Sequence, residues 1–108
     1  MGTNYYITAQ GPLGEQRIHV GKSSAGWVFC FEAQELPDNT DLTTTGDFRK
    51  AISGLVDHGP CRLMDEYGLE VPTEDFWQLV EAKKQRPGAM SQGQWQDDGN
   101  DFCRYEFS

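Results

Sequence analysis

The pattern of apolar residues predicts an α+β fold, a mainly antiparallel sheet with two helices packed on one face. Three observations predict it. Short aromatic and β-branched runs are bounded by clusters of Gly, Pro, Asn and Asp. Two segments carry apolar residues at helical spacing behind cap-forming residues. The last segment alternates aromatic and polar side chains, as a strand does when it returns to a sheet. At 108 residues the chain predicts one domain over 1–108, with a single core and no room for a separate substrate domain.

The first strand is expected at Asn4 to Thr8 (NYYIT), before the breaker cluster Gly11 to Gly14. Arg17 to Val20 alternates polar and apolar residues, Gly21 to Gly26 (GKSSAG) supplies turn residues, and Trp27 to Phe31 is an aromatic run, so these three pieces predict a hairpin. With Trp27, Phe29 and Phe31 on one face and Val28 and Cys30 on the other, the second arm is apolar on both faces and is expected to be the central strand. A loop over Glu35 to Thr43 leads to a helix starting near Thr44 or Thr45, with Phe48, Ala51, Ile52 and Leu55 inward and Gly54 as a left-handed cap. Cys61 to Met64, the turn Asp65 to Gly68 and Leu69 to Val71 predict a second hairpin.

Thr73 is expected to cap the second helix. Glu74 and Asp75 lie in its first turn and Lys83, Lys84 and Arg86 in its last, matching the helix dipole before Pro87 and Gly88 stop it. Its inward face is Phe76, Leu79 and Val80, with Trp77 at the margin. The polar stretch 87–101 is read as a mobile loop, followed by a strand over Phe102 to Phe107. No internal repeat is visible.

Composition narrows the function classes. Seventeen acidic residues against nine basic ones give a net charge of −8, which repels nucleic-acid phosphates and disfavours direct nucleic-acid binding. The same surplus suits docking on a basic patch of another protein. Three widely spaced cysteines, Cys30, Cys61 and Cys103, predict reduced thiols rather than a disulfide framework. The apolar runs are too short to span a bilayer, and MGTNYYITAQ has no charged start followed by an apolar stretch, so a cytoplasmic protein without membrane contact is expected.

Motifs for chemistry are incomplete. Gly21, Lys22 and Ser23 resemble the end of a phosphate-binding loop, but Gln16 stands where the motif needs Gly, and a strand follows rather than a helix. His58 and Cys61 have a His-x-x-Cys spacing that could ligate zinc with Cys30 or Cys103, yet the second close pair of a structural site is missing, and no metal or cofactor is expected. His19 or His58 could activate a cysteine, but no pair is singled out, and burial would suppress Cys30. The adjacent acids Asp65 and Glu66, Glu74 and Asp75, and Asp97 and Asp98 read as turn and cap residues. Trp95 is either an exposed anchor for a partner or a ring folded back on the core. Candidate partner-binding residues are therefore Lys22, Ser23, Ser24, Asp65, Glu66, Trp95, Asp97 and Asp98.

The opening MGTNYY, the run IHVGKSSAGWVF (Ile18 to Phe29), DEYGLEV (Asp65 to Val71) and the terminal EFS resemble a family of small uncharacterised proteins encoded by tailed bacteriophages and prophages. Many of those members carry a Cys-x-x-Cys pair between the Tyr-Tyr and the His-x-Gly-Lys-Ser-Ser segment. This chain has no cysteine between Tyr6 and His19, so a metal role does not transfer. The resemblance implies a phage or prophage origin and action in the bacterial cytoplasm, and it implies no activity. The resulting expectation is a non-enzymatic protein that binds a host protein, with a nucleic-acid-binding complex as one possible target. Its sharpest form is an anti-defence inhibitor of the anti-CRISPR or anti-restriction type. The alternatives are a metal- or thiol-dependent enzyme built on His58, Cys61 and Cys103, or a minor virion component.

Overall fold

The structure is a computed structural model that describes residues 2–12, 14–85, 88–91 and 93–104. It has the expected class, an α+β fold with a mainly antiparallel six-stranded sheet and two helices. The strands are β1 (Gly2–Gly11), β2 (Gly14–Ser24), β3 (Cys30–Glu32), β4 (Gln34–Glu35), β5 (Asp41–Leu42), β6 (Arg62–Asp65), β7 (Trp95–Asp97) and β8 (Asn100–Cys103), and the helices are α1 (Thr45–Ile52) and α2 (Thr73–Lys84). The main sheet runs β6-β1-β2-β3-β8-β7, and β4 and β5 form a separate ribbon. All its pairings are antiparallel except β3 with β8, which is parallel.

Several expected boundaries shift for physical reasons. The segment Gly21 to Ser24 is strand rather than turn: Gly2 to Tyr5 of β1 pairs with it, and Lys22 also pairs with Cys30. Gly21 is needed there for space, since a Cβ would come 2.2 Å from the Cys30 carbonyl oxygen and 2.6 Å from the Phe29 ring. The turn itself is shorter and uses Gly26 at φ +83°. Beyond it, Trp27 makes only an isolated bridge to Met90, so the central strand starts at Cys30 rather than Trp27. The register between β1 and β2 slips between Tyr5 and Tyr6, where Val20 is the extra residue of a bulge; Val20 packs fully into the core.

Helix α1 begins where the sequence placed it. Thr44 accepts from the Asp47 backbone N–H at 3.1 Å, and Asp47 accepts from the Thr44 N–H at 3.1 Å, a reciprocal capping box. Gly54 is not a left-handed cap. The chain continues through a π-helical turn, Ser53–Asp57, with the His58 N–H closing on the Ser53 carbonyl at 3.0 Å. Thr73 is the first residue of α2 rather than its cap, and its hydroxyl instead donates to Asp57 at 2.7 Å. The second hairpin is present in part. Of its return arm only Glu70 bridges, to Met64, with the Val71 N–H donating to the Leu63 carbonyl.

The largest correction concerns 87–101. Trp95–Asp97 and Asn100–Cys103 form a hairpin that begins inside that stretch and runs past its end, joined by Asp98 and Gly99 at φ +51° and +77°. Two successive positive φ values are those of a type I′ turn, whose twist matches that of the flanking strands. The final strand therefore starts at Asn100, two residues before the expected Phe102, and positions 105–107 of the expected strand, like Arg86 and Pro87, lie outside the described residues.

Both helices pack on the same face of the sheet. Phe29 and Phe31 of the β3 arm meet Phe76 of α2, and Phe31 and Phe102 meet Phe48 of α1, with centroid separations of 4.7 to 6.5 Å. All five of these rings are fully buried, together with Ile7, Val20, Leu42, Ile52, Leu63 and Val80. This is one contiguous core.

Candidate functional site

Alternation along the strands sends Asn4 and Tyr6 of β1, His19 of β2, Cys30 and Glu32 of β3, and Asp101 and Cys103 of β8 to the helix-free face. A polar chain crosses that face. Glu66 accepts from the backbone N–H of Asn4 at 2.7 Å and from its side-chain amide at 3.2 Å. The amide oxygen of Asn4 is thereby turned toward His19 Nε2, 2.8 Å away, while His19 Nδ1 lies 3.0 Å from Glu32. A carboxylate and an amide oxygen only accept, so both contacts form together when both ring nitrogens carry hydrogen. Tyr6 packs on the imidazole at 5.1 Å, and the Arg17 guanidinium caps Tyr6 at 4.5 Å. Gln34 locks the far side by donating to the His19 and Glu32 carbonyls at 2.7 and 3.1 Å. Beside this chain runs a groove of about 560 Å³ lined by Arg17, His19, Glu32, Ala33, Gln34 and Arg104.

One strand further, the Cys30 and Cys103 sulfurs lie 3.4 Å apart, both buried. Burial pushes the Cys30 thiol well above its ordinary value, and the Cys103 thiol and the Asp101 carboxylate push the same way. A thiol held protonated is a poor nucleophile and a poor metal ligand. Asp101 is fully buried, accepting from the Ser91 hydroxyl and from Gln96.

The metal set considered from sequence is not brought together. Cys61 precedes β6 and packs against the core, whereas Cys103 sits on β8, four strand spacings away, or about 19 Å. His58 is exposed at the end of the π-helical turn. Among the described residues no three His, Cys, Asp or Glu side chains are placed to hold a metal ion.

The candidate partner-binding residues fall in two places. Lys22, Ser23 and Ser24 pair with the start of β1, whose other side pairs Tyr5 with Asp65, so they and the Asp65–Glu66 turn share one end of the sheet. All three are only partly exposed, and Ser24 also accepts from Lys83 through its carbonyl at 2.7 Å. Asp65 holds its own turn, accepting from the Tyr67 and Leu69 backbone N–H groups at 2.9 and 3.0 Å. Trp95, Asp97 and Asp98 lie at the opposite edge, on β7 and its turn. The Trp95 ring folds back to stack on Phe102 at 5.8 Å and donates to the Thr43 carbonyl. Asp97 accepts from the Thr45 N–H at the start of α1 at 2.8 Å, and Asp98 pairs with Lys84 at 3.1 Å.

The sequence reading missed the Asn4–His19–Glu32 chain and the Cys30–Cys103 contact. Their members are 13 to 73 positions apart, and no local motif joins them. No helix among the described residues is long and apolar enough to cross a membrane. Compared with protein-family models, curated proteins and solved structures, the chain matches none.

Proposed function

We propose that this chain is a non-enzymatic binding protein that docks an acidic surface onto a basic patch of another protein. On the resemblance described above, it is made by a tailed phage or prophage and acts on a protein of the bacterial host. The sharpest form of the proposal is inhibition of a defence complex whose basic channel handles nucleic acid, because carboxylates on a rigid domain can occupy sites that otherwise take phosphates.

One observation supports the reading. Four of the cations have partners within the molecule: Lys83 on the Ser24 carbonyl, Lys84 between Glu81 and Asp98, and, from exposed positions, Arg49 against Glu81 and over Trp77 and Arg62 near Glu70. Among the described residues the exposed acids outnumber the exposed cations. Glu35, Asp38 and Asp41 are exposed on and beside the β4–β5 ribbon, and Asp57, Glu74 and Asp75 are exposed around the start of α2. The whole sequence carries a net charge of −8, and these six acids are among those at exposed positions.

Capture from bacterial lysate on the immobilised protein tests this, run in parallel at about 0.1 M and about 1 M salt, where the screening length falls from about 10 Å to about 3 Å. A partner with a basic surface is expected at low salt, lost at high salt, and weakened by charge reversal at Glu35, Asp38 and Asp41. Capture of nothing beyond chaperones, or a partner indifferent to both salt and charge reversal, would sink the proposal.

A further inference from the structure

The large apolar side chains that stay exposed among the described residues are Tyr67 at 71 %, Leu69 at 65 % and Met90 at 50 %. The two most exposed stand two positions apart on one turn, and that turn is held rigidly. The Asp65 carboxylate accepts from the backbone of both Tyr67 and Leu69, the Asp65 N–H donates to the Leu69 carbonyl at 2.9 Å, and Gly68 supplies the positive φ of +82°. Glu66 ties the same turn to β1 through its two bonds to Asn4. A tyrosine and a leucine displayed on a fixed backbone lose little freedom on binding, which is the property of an anchor. They contribute little to the fold, since neither side chain belongs to the core.

The surroundings select the partner. From Glu66 to Asp75 the chain exposes four carboxylates, Glu66, Glu70, Glu74 and Asp75, on either side of the two apolar side chains, and Arg62 offsets only Glu70, at 3.7 Å. A second copy of this chain, related by a two-fold axis, would bring those acids against their own equivalents. The complementary surface is an apolar socket ringed by Lys or Arg. We infer that the turn Asp65 to Glu70 is the contact segment, with Tyr67 and Leu69 entering an apolar socket on a basic protein surface. This inference rests on the acidic-docking reading above and adds to it the place of contact.

The test compares wild type with the double variant Tyr67→Ser, Leu69→Ser in the low-salt lysate capture. Both proteins are also melted, and their association states are measured by sedimentation. The variant is expected to melt with wild type, because the turn's hydrogen bonds come from Asp65 and the backbone, and to capture the salt-sensitive partner at least about tenfold more weakly, as loss of an anchor does. Undiminished capture by the variant, with salt still releasing the partner, overturns the contact segment while leaving the acidic-docking reading standing. No salt-sensitive partner for wild type overturns both. A wild-type dimer that the double substitution dissolves also overturns the inference, since the occupant is then a second copy.

Discussion

Phe31 and Glu32 are neighbours in the chain, and they serve opposite faces of the sheet. Phe31 lies against Phe29, Phe48, Phe76, Trp77 and Phe102, a cluster whose cohesion needs shape and burial but no particular direction. Glu32 takes part in a chain of directed contacts through His19 and Asn4 to Glu66, spanning β3, β2, β1 and the turn after β6. The helix-covered face stabilises by the area it removes from water. The helix-free face fixes which strands lie side by side, because a buried polar group left without its partner costs more than the pair contributes.

The comparison can be broken first at its strongest point. Phe31→Ala is expected to cost about 3–5 kcal/mol by opening a cavity among rings that cannot collapse; urea denaturation measures it, and a loss under about 1 kcal/mol would mean that the aromatic cluster is not the core. On the other face, His19→Ala should cost less, about 1–3 kcal/mol, by leaving Glu32 and the Asn4 amide oxygen without the ring between them. A double-mutant cycle with Glu32→Gln sharpens this, because a coupling near zero would show that the polar chain adds nothing as a chain.

The smallest effect belongs to a contact at neither face. The Thr43 backbone N–H above all, with Thr44 adding to it, holds the Asp47 carboxyl below its ordinary value of 3.8, although burial opposes them. A depressed carboxylate contributes stability that is present above the unfolded value and lost as pH falls through the folded one. The stability gap between wild type and Asp47→Asn should therefore be steady from pH 7 to about pH 5 and close in acid. A gap that persists unchanged in strong acid would show that the capping box does not depend on the charge.

The two faces also differed in how far the sequence revealed them. Apolar spacing disclosed Phe48, Ile52, Phe76 and Val80, because burying a helix stripe imposes a local period. His19, Asn4 and Glu32 follow no period; their meeting depends on strand order, which local patterns do not encode. One miss had a local signal. Asp98-Gly99 between Trp95 and Phe102 is a hairpin turn dipeptide, hidden by the polar composition around it. Gly21 was misread for the converse reason: its role is to let β2 approach Cys30 and Phe29, and in sequence it looks like any turn glycine.

The parallel pairing of β3 with β8 has a consequence for how the chain reaches this state. The β1–β2 hairpin closes locally, but β3 gains its second neighbour only after the chain has returned across 73 positions from Cys30 to Cys103. Until then Cys30–Glu32, at the end of the uncharged run Trp27 to Phe31, presents one bare backbone edge. Closure of this non-local pair is expected to come late in folding, and the yield on refolding is expected to fall with protein concentration.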